Sequence, residues 1–287
     1  MKEEKLARKP DWLKVRLPGG ENYSKIFGML RSSKLHTVCE EARCPNLGEC
    51  WKAGTATFMI LGNVCTRSCG YCNVKTGIPG GLDSDEPRKV AEAVKEMGLR
   101  YAVVTSVTRD DLEDGGAGIF AETVRQIRKV NPDCKVEVLI PDFGGEALEK
   151  VVRAKPDVLN HNIEVVRRLF PAARPRGNYD RSLNLLETVK RIDPNILTKS
   201  GLIIGLGETG KEILETMRDL RGVKCDLLTI GQYLQPTRKH LPVKKYYHPR
   251  EFRKFKGKGE SMGFKHVESG PLVRSSYMAE KCLKTVR

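Results

Sequence analysis

Short apolar runs alternate with amphipathic stretches along most of the chain. The runs at 56–61, 100–106, 135–140, 157–163, 197–204 and 226–232 are bounded by turn residues and predict strands. Between them, residues 87–97 place Val90, Ala93, Val94 and Met97 on one helical face, and 117–130 place Phe120, Val124, Ile127 and Val130 there. The same stripe predicts helices over 146–154, 180–192 and 208–220. The strands are apolar almost throughout rather than alternating, the pattern of a parallel sheet covered on both faces. Six strand–helix units cannot close an eight-stranded barrel. The expected α/β fold is therefore an open, partial (β/α)6 TIM-like barrel with its chemistry on the loops after the strands.

The flanks read differently. Residues 1–35 read as irregular, with a turn at 18–20, and 249–262 predict a helix inside a basic stretch. The chain thus divides into an N-terminal extension (1–54), the barrel (55–237) and a C-terminal extension (238–287). The net charge of +15 sits at the ends, +5 over 1–35 and +10 over 238–287, around a balanced middle. Basic ends on a neutral body suit an acidic macromolecular partner. They lack regular aromatic interleaving and any zinc-finger or RNA-recognition signature, which argues against nucleic acid. No apolar run is long enough to span a membrane, and residues 1–10 hold no apolar signal core, so a cytoplasmic protein is expected.

Nine cysteines, an odd number with six in two tight groups, fit metal ligands in a reducing compartment better than a disulfide framework. Cys65, Cys69 and Cys72 follow the first strand at spacing Cys-x3-Cys-x2-Cys. Cys39, Cys44 and Cys50 form a second trio at Cys-x4-Cys-x5-Cys. Each trio is one ligand short of a closed zinc site or a four-thiolate cubane. Thiolate-only ligation selects zinc, copper(I) or iron–sulfur clusters. A missing ligand leaves one metal corner open for a substrate. Cys134, Cys225 and Cys282 stand singly and read as buried or idle thiols, Cys282 being the one able to supply an extra ligand.

Other strand-end residues carry weaker signals. Asp110, Asp111, Glu113 and Asp114 precede a predicted helix and read as capping, solvated carboxylates. His161 reads as a satisfied core or supporting group. Gly205-Leu206-Gly207-Glu208-Thr209-Gly210 has the glycine spacing of a dinucleotide loop. The acid expected at the end of the following strand is missing, so these glycines read instead as letting backbone approach a ligand.

The trio at 65–72, with Tyr71 just before its last cysteine, resembles the cluster loop of radical S-adenosylmethionine (radical SAM) enzymes. The resemblance implies a four-iron four-sulfur (4Fe-4S) cluster on Cys65, Cys69 and Cys72 whose open iron chelates SAM. The wider pattern is similar to the lipoyl synthase family over about 38–277. It comprises Cys-Glu-Glu-Ala-Arg-Cys-Pro-Asn, residues 105–116, Asn160-His161-Asn162-Ile163-Glu164, Thr198-Lys199-Ser200-Gly201, residues 228–236 and Arg274-Ser275-Ser276-Tyr277. That family inserts two sulfur atoms, at the sixth and eighth carbons, into an octanoyl chain on a lysine of a lipoyl-carrier protein (a lipoyl domain or glycine-cleavage H protein).

The resemblance further implies a second 4Fe-4S cluster on Cys39, Cys44 and Cys50, consumed as the sulfur source. Its fourth ligand is a serine, Ser276 ahead of Ser275. Contacts to SAM are expected from Tyr71, Thr105, Asn162, Glu164, Arg174 and Gly205. A flavodoxin- or ferredoxin-type reductant and an iron–sulfur cluster carrier complete the expected partners. Met278 and Ile119 depart from residues usual in the family. Two alternatives stand beside this reading: another sulfur-inserting radical SAM enzyme, of biotin synthase or methylthiotransferase type, and a non-catalytic metal protein that binds nucleic acid.

Overall fold

The computed structural model describes residues 8–15, 18–52 and 55–284. In chain order its strands are β1 His36–Thr37, β2 Thr57–Ile60, β3 Val64–Cys65, β4 Lys75–Thr76, β5 Tyr101–Ser106, β6 Lys135–Leu139, β7 Val158–Asn160, β8 Leu197–Ile204, β9 Leu227–Gln232 and β10 His266–Gly270. The helices are α1 Glu21–Ser32, α2 Val38–Glu41, α3 Leu47–Lys52, α4 Glu86–Glu96, α5 Ala117–Val130, α6 Gly145–Arg153, α7 Phe170–Ala173, α8 Tyr179–Ile192, α9 Gly210–Gly222, α10 Pro249–Ser261 and α11 Ala279–Lys284. The main sheet has the order β1-β2-β5-β6-β7-β8-β9-β10. All its pairs are parallel except β1 with β2.

The six expected strand–helix units form, and the sheet is a partial barrel of the α/β class. Alternate side chains of β5 explain its layering. Ala102 and Val104 join the large core under the helices, while Tyr101 and Val103 pack on the other face with Val158, Leu227 and Ala279 of α11. That inner face is polar where a simple apolar strand reading expects packing alone. Lys199 Nζ donates to both oxygens of Glu137 at 2.9 and 3.1 Å. Tyr101 Oη and Asn160 Nδ2 donate to the same carboxylate at 2.6 and 3.1 Å. A buried ion pair survives because every remaining lone pair has a donor.

Three expectations need correction. The stretch 1–35 is not irregular throughout: α1 buries Ile26, Met29 and Leu30, and the Tyr23 ring lies 5.1 Å from that of Trp51. Polar residues and Gly28 dilute its apolar stripe. The run at 157–163 gives only the three-residue β7, after which Ile163 N turns to Ser200 Oγ at 3.0 Å. An additional parallel strand, β10, escapes the pattern because His266, Glu268 and Ser269 break its apolar run.

Strand direction places the chemistry. Parallel strands share one C-terminal edge, where the segments after β2, β5, β6, β7, β8, β9 and β10 gather. Among the described residues no helix is long and apolar enough to cross a membrane.

Candidate active site

The loop after β2 is built by turns and by its neighbours. Leu61 and Gly62 adopt φ of 68° and 85°, reversing the chain out of the strand. Buried Glu86 of α4 receives Leu61 N at 2.7 Å. Burial, opposed by these backbone donors, pushes its carboxyl up to about 7. Cys65 ends β3, and its sulfur accepts from Arg67 N at 3.4 Å and Thr108 N at 3.3 Å. Gly70 N donates to Ala173 O at 2.9 Å, and Leu241 N donates to Gly70 O at 2.9 Å. The cysteine loop is thus clamped from two sides.

Around it converge residues from four strand-end segments. Glu164 has a φ of 68°, a strained conformation for a side chain of this size. It is held by Glu164 N to Gly201 O at 2.9 Å and Ile203 N to Glu164 O at 2.7 Å. Asn162 Nδ2 donates to its carboxylate at 3.1 Å. Arg174 donates to Asn162 O at 3.1 Å and to both oxygens of Asp142 at 2.9 Å. Burial raises the Cys69 thiol, with Arg174 opposing and Glu164 adding to the rise. Burial, then the Glu164 charge, likewise holds the Tyr71 hydroxyl well above its ordinary range. Tyr71, Asn162, Glu164 and Arg174 therefore share one electrostatic neighbourhood with Cys69.

Thr105 and Gly205 make other contacts. Thr105 Oγ1 donates to Leu139 O at 3.0 Å. The space a side chain at Gly205 would need is taken by Gln232 Nε2, 2.1 Å away, and Lys245 O, so the close approach there is by the chain itself. Glu208 closes that loop by accepting from Gly205 N and Leu206 N at 2.6 and 2.9 Å. The acids after β5 behave as read: Asp114 caps α5 through Gly116 N and Gly118 N, while Asp110 and Asp111 pair with Arg67 and Arg109. His161 is buried, its ring nitrogens 3.0 Å from Ile140 O and Ser182 Oγ. Sequence reasoning missed Asp142 and Arg67; the one available signal was their place in segments that follow strands.

The second trio sits in the N-terminal extension. Thr37 caps α2, and Cys44 N donates to Cys39 O at 2.9 Å after a left-handed turn at Arg43. Cys50 lies in α3. Burial pushes Cys39 up to about 12 and Cys50 to about 11, each thiol also feeling Cys44. These three cysteines, Arg274 and Ser276 line one cavity of about 420 Å³. Ser275 is not among its lining residues. Asn46 Nδ2 to Leu272 O at 2.6 Å ties the trio to the C-terminal segment. Cys282 is buried beside His266 instead, and Cys134 and Cys225 are buried as read.

Arg274 lines the cavity of the second trio. Its Nη1 donates to Val273 O at 2.7 Å. Burial lowers its pKa, while the charges of Cys44 and then Glu164 oppose that fall. Among the described residues no three His, Cys, Asp or Glu side chains converge as a single metal ion would need. The donor sets are instead two trios of soft thiols, Cys39 buried and the other five half-buried, one with a serine hydroxyl in its cavity and the other beside polar groups. Such sets fit iron–sulfur clusters.

A partial barrel with a three-cysteine loop after its first parallel strand defines the radical SAM class. The family model described as the radical SAM superfamily matches residues 59–220. One described as the N-terminal domain of lipoyl synthase matches 1–44. The chain is 59% identical over 281 residues to the lipoyl synthase of Rubrobacter xylanophilus, covering 97% of this chain and 88% of that one. It is 58% identical over 283 residues to that of Halalkalibacterium halodurans, covering 98% and 93%. The chain belongs to the lipoyl synthase family. Among solved structures, the FeFe-hydrogenase maturase HydG from Carboxydothermus hydrogenoformans matches at TM-score 0.59 and 15% identity, over 92% of this chain and 78% of that one. The HemN coproporphyrinogen III oxidase from Escherichia coli matches at TM-score 0.51 and 13% identity, over 77% and 56%. These two show the fold alone.

Proposed function

We propose that the protein inserts two sulfur atoms, at the sixth and eighth carbons, into the octanoyl chain on a lysine of a lipoyl-carrier protein. Cys65, Cys69 and Cys72 would hold the SAM-binding 4Fe-4S cluster. When bound and reduced, that cluster cleaves SAM to a carbon radical able to break C–H bonds that offer acids and bases no handle. Cys39, Cys44, Cys50 and Ser276 would hold the second, sacrificed cluster. A serine oxygen matches iron less well than a thiolate, which suits a ligand that must let go.

The remaining work is positioning. Asn162, Glu164 and Arg174 present a carboxylate and donors beside Tyr71, suited to the amino and carboxylate groups of SAM. Thr105 and Gly205, occupied by Leu139 O and by Gln232 and Lys245, would shape the strand ends that SAM approaches rather than touch it. Arg274 would keep the two centres' acceptors oriented across the space the acyl chain enters. The inner sheet face and the C-terminal segment exclude water from that space. The basic stretches 1–35 and 244–287 would meet an acidic carrier, and a flavodoxin- or ferredoxin-type reductant and a cluster carrier would serve the two centres. The three segments 1–54, 55–237 and 238–287 would divide these tasks as sulfur donor, radical source and closing flap.

The cavity that Cys39, Cys44 and Cys50 line together with Arg274 and Ser276 carries this reading, because it brings the terminal serine to the second trio. The test is mass spectrometry of an octanoyl-lysine peptide incubated with SAM and reductant. Two sulfurs should appear. The Cys39→Ala/Cys44→Ala/Cys50→Ala variant should keep about four of about eight irons, still cleave SAM, and add none. Sulfur insertion by that variant would refute the proposal.

A further inference from the structure

We propose that residues 237–241, beside the Cys65–Cys69–Cys72 trio, form the docking platform for a small acidic electron-transfer protein, with Arg238 and Lys239 as its contact cations. The proposal rests on the reading that this trio holds a redox cluster.

The platform is fastened to the cysteine loop itself. His240 Nε2 lies 2.8 Å from Cys72 O. A carbonyl only accepts, so Nε2 carries the hydrogen, and Thr237 Oγ1 lies 2.8 Å from Nδ1 on the other side of the ring. Leu241 N donates to Gly70 O at 2.9 Å. A Cβ on Gly70 would lie 3.0 Å from Leu241 Cγ, so the two segments are in direct contact. Gln235 Nε2 and Tyr233 Oη then hold the carbonyls of His240 and Leu241 at 2.9 and 2.7 Å. The segment is rigid before any partner arrives.

On this frame Thr237, Arg238 and Lys239 are exposed. Among the described residues neither Arg238 nor Lys239 has an ion-pair partner. Two adjacent cations on a fixed turn attract a partner's carboxylates with little further loss of backbone freedom. Across the cysteine loop, exposed Arg176 reaches Thr66 O at 3.4 Å and Asp110 at 3.5 Å, adding positive charge. The rim after β5 is the opposite: Glu113 is exposed there, beside Asp111 in its pair with Arg109. An acidic protein is drawn to one side and repelled from the other, which orients it.

Position selects the kind of partner. Electron tunnelling weakens steeply with distance, and this exposed turn is one hydrogen bond from the backbone of a cluster cysteine. One electron leaves the reduced carrier and enters the cluster; no bond forms or breaks at the interface. The basic residues of 1–35 and 244–287, set apart from this turn, remain for the acyl-bearing substrate.

The experiment uses the full-length reconstituted protein, reduced flavodoxin as probe, and the Arg238→Glu/Lys239→Glu variant. Flavodoxin should bind roughly tenfold or more weakly at low salt, with a flatter salt dependence. Flavodoxin-driven SAM cleavage should fall, while dithionite-driven cleavage and binding of an octanoylated carrier stay unchanged. Glu113→Lys should tighten flavodoxin binding. Unchanged flavodoxin affinity, an equal loss with dithionite, or a loss of carrier binding instead would overturn the proposal. If the cluster reading itself fails, the unaltered protein cleaves SAM with neither reductant, while the flavodoxin titration still reports on the surface.

Discussion

Arg174 donates through Nη2 to both carboxylate oxygens of Asp142 at 2.9 Å, and Asp142 also pairs with Arg67. The carboxylate is buried, yet His161 and the two guanidinium groups outweigh burial and hold its pKa well below the usual range. One residue thus anchors the cysteine loop through Arg67 and the Glu164 neighbourhood through Arg174. Asp142→Asn leaves buried cations uncompensated and should cost about 3–5 kcal/mol. Denaturant unfolding measures that loss. Weaker SAM binding should accompany it, read by equilibrium dialysis.

Gly231 of β9 lies against the C-terminal segment. A Cβ there would stand 2.1 Å from Val273 O and 3.2 Å from Arg274 Nη1. Backbone cannot yield as a flexible side chain can, so Gly231→Ala should push Arg274 and Ser276 outward. Sulfur insertion should drop on the order of a hundredfold. SAM cleavage without acyl substrate should fall much less, and the ratio of the two rates is the measurement.

The Glu137–Lys199 pair on the inner sheet face is almost fully buried on both sides. Glu137→Gln leaves one acceptor oxygen where Tyr101 and Asn160 each had their own and strands a buried ammonium, a loss of about 3–5 kcal/mol. Adding Lys199→Met should restore part of it. A double-mutant cycle in urea should give a coupling of about 1–3 kcal/mol; simple additivity would contradict a paired charge.

Glu86 makes stability fall as pH rises. Its carboxyl goes from an ordinary 4.5 to about 7 in the folded chain. Between these values the folded state binds the extra proton, so stability is greatest below 4.5 and declines until about 7. The difference between the native protein and Glu86→Gln should therefore change over pH 4.5–7 by on the order of 3 kcal/mol. It should be flat above 8. Urea midpoints at several pH values would show this.

Much of the barrel was legible because its signals are local. Residues 117–130 show a complete apolar stripe and form α5 without a shift of either end. At 208–220 the helix starts at Gly210 instead, because Thr209 and Glu212 make a capping box that outranks the apolar period. β10 was invisible because its parallel partner β9, not its own composition, makes it a strand.

Residue order alone determined the alternation of strands and helices, the two cysteine spacings and the family. Periodicity and short spacings act over a few residues, and neighbours in the chain carry them whole. Only the tertiary structure decided that Asn46 meets Leu272, 226 positions away, or that Asp142 gathers Arg67 and Arg174. It also decided that Arg274 and Ser276 share a cavity with Cys39, Cys44 and Cys50. Such contacts depend on which strand ends share an edge, and that edge exists only once the parallel sheet has closed over its core.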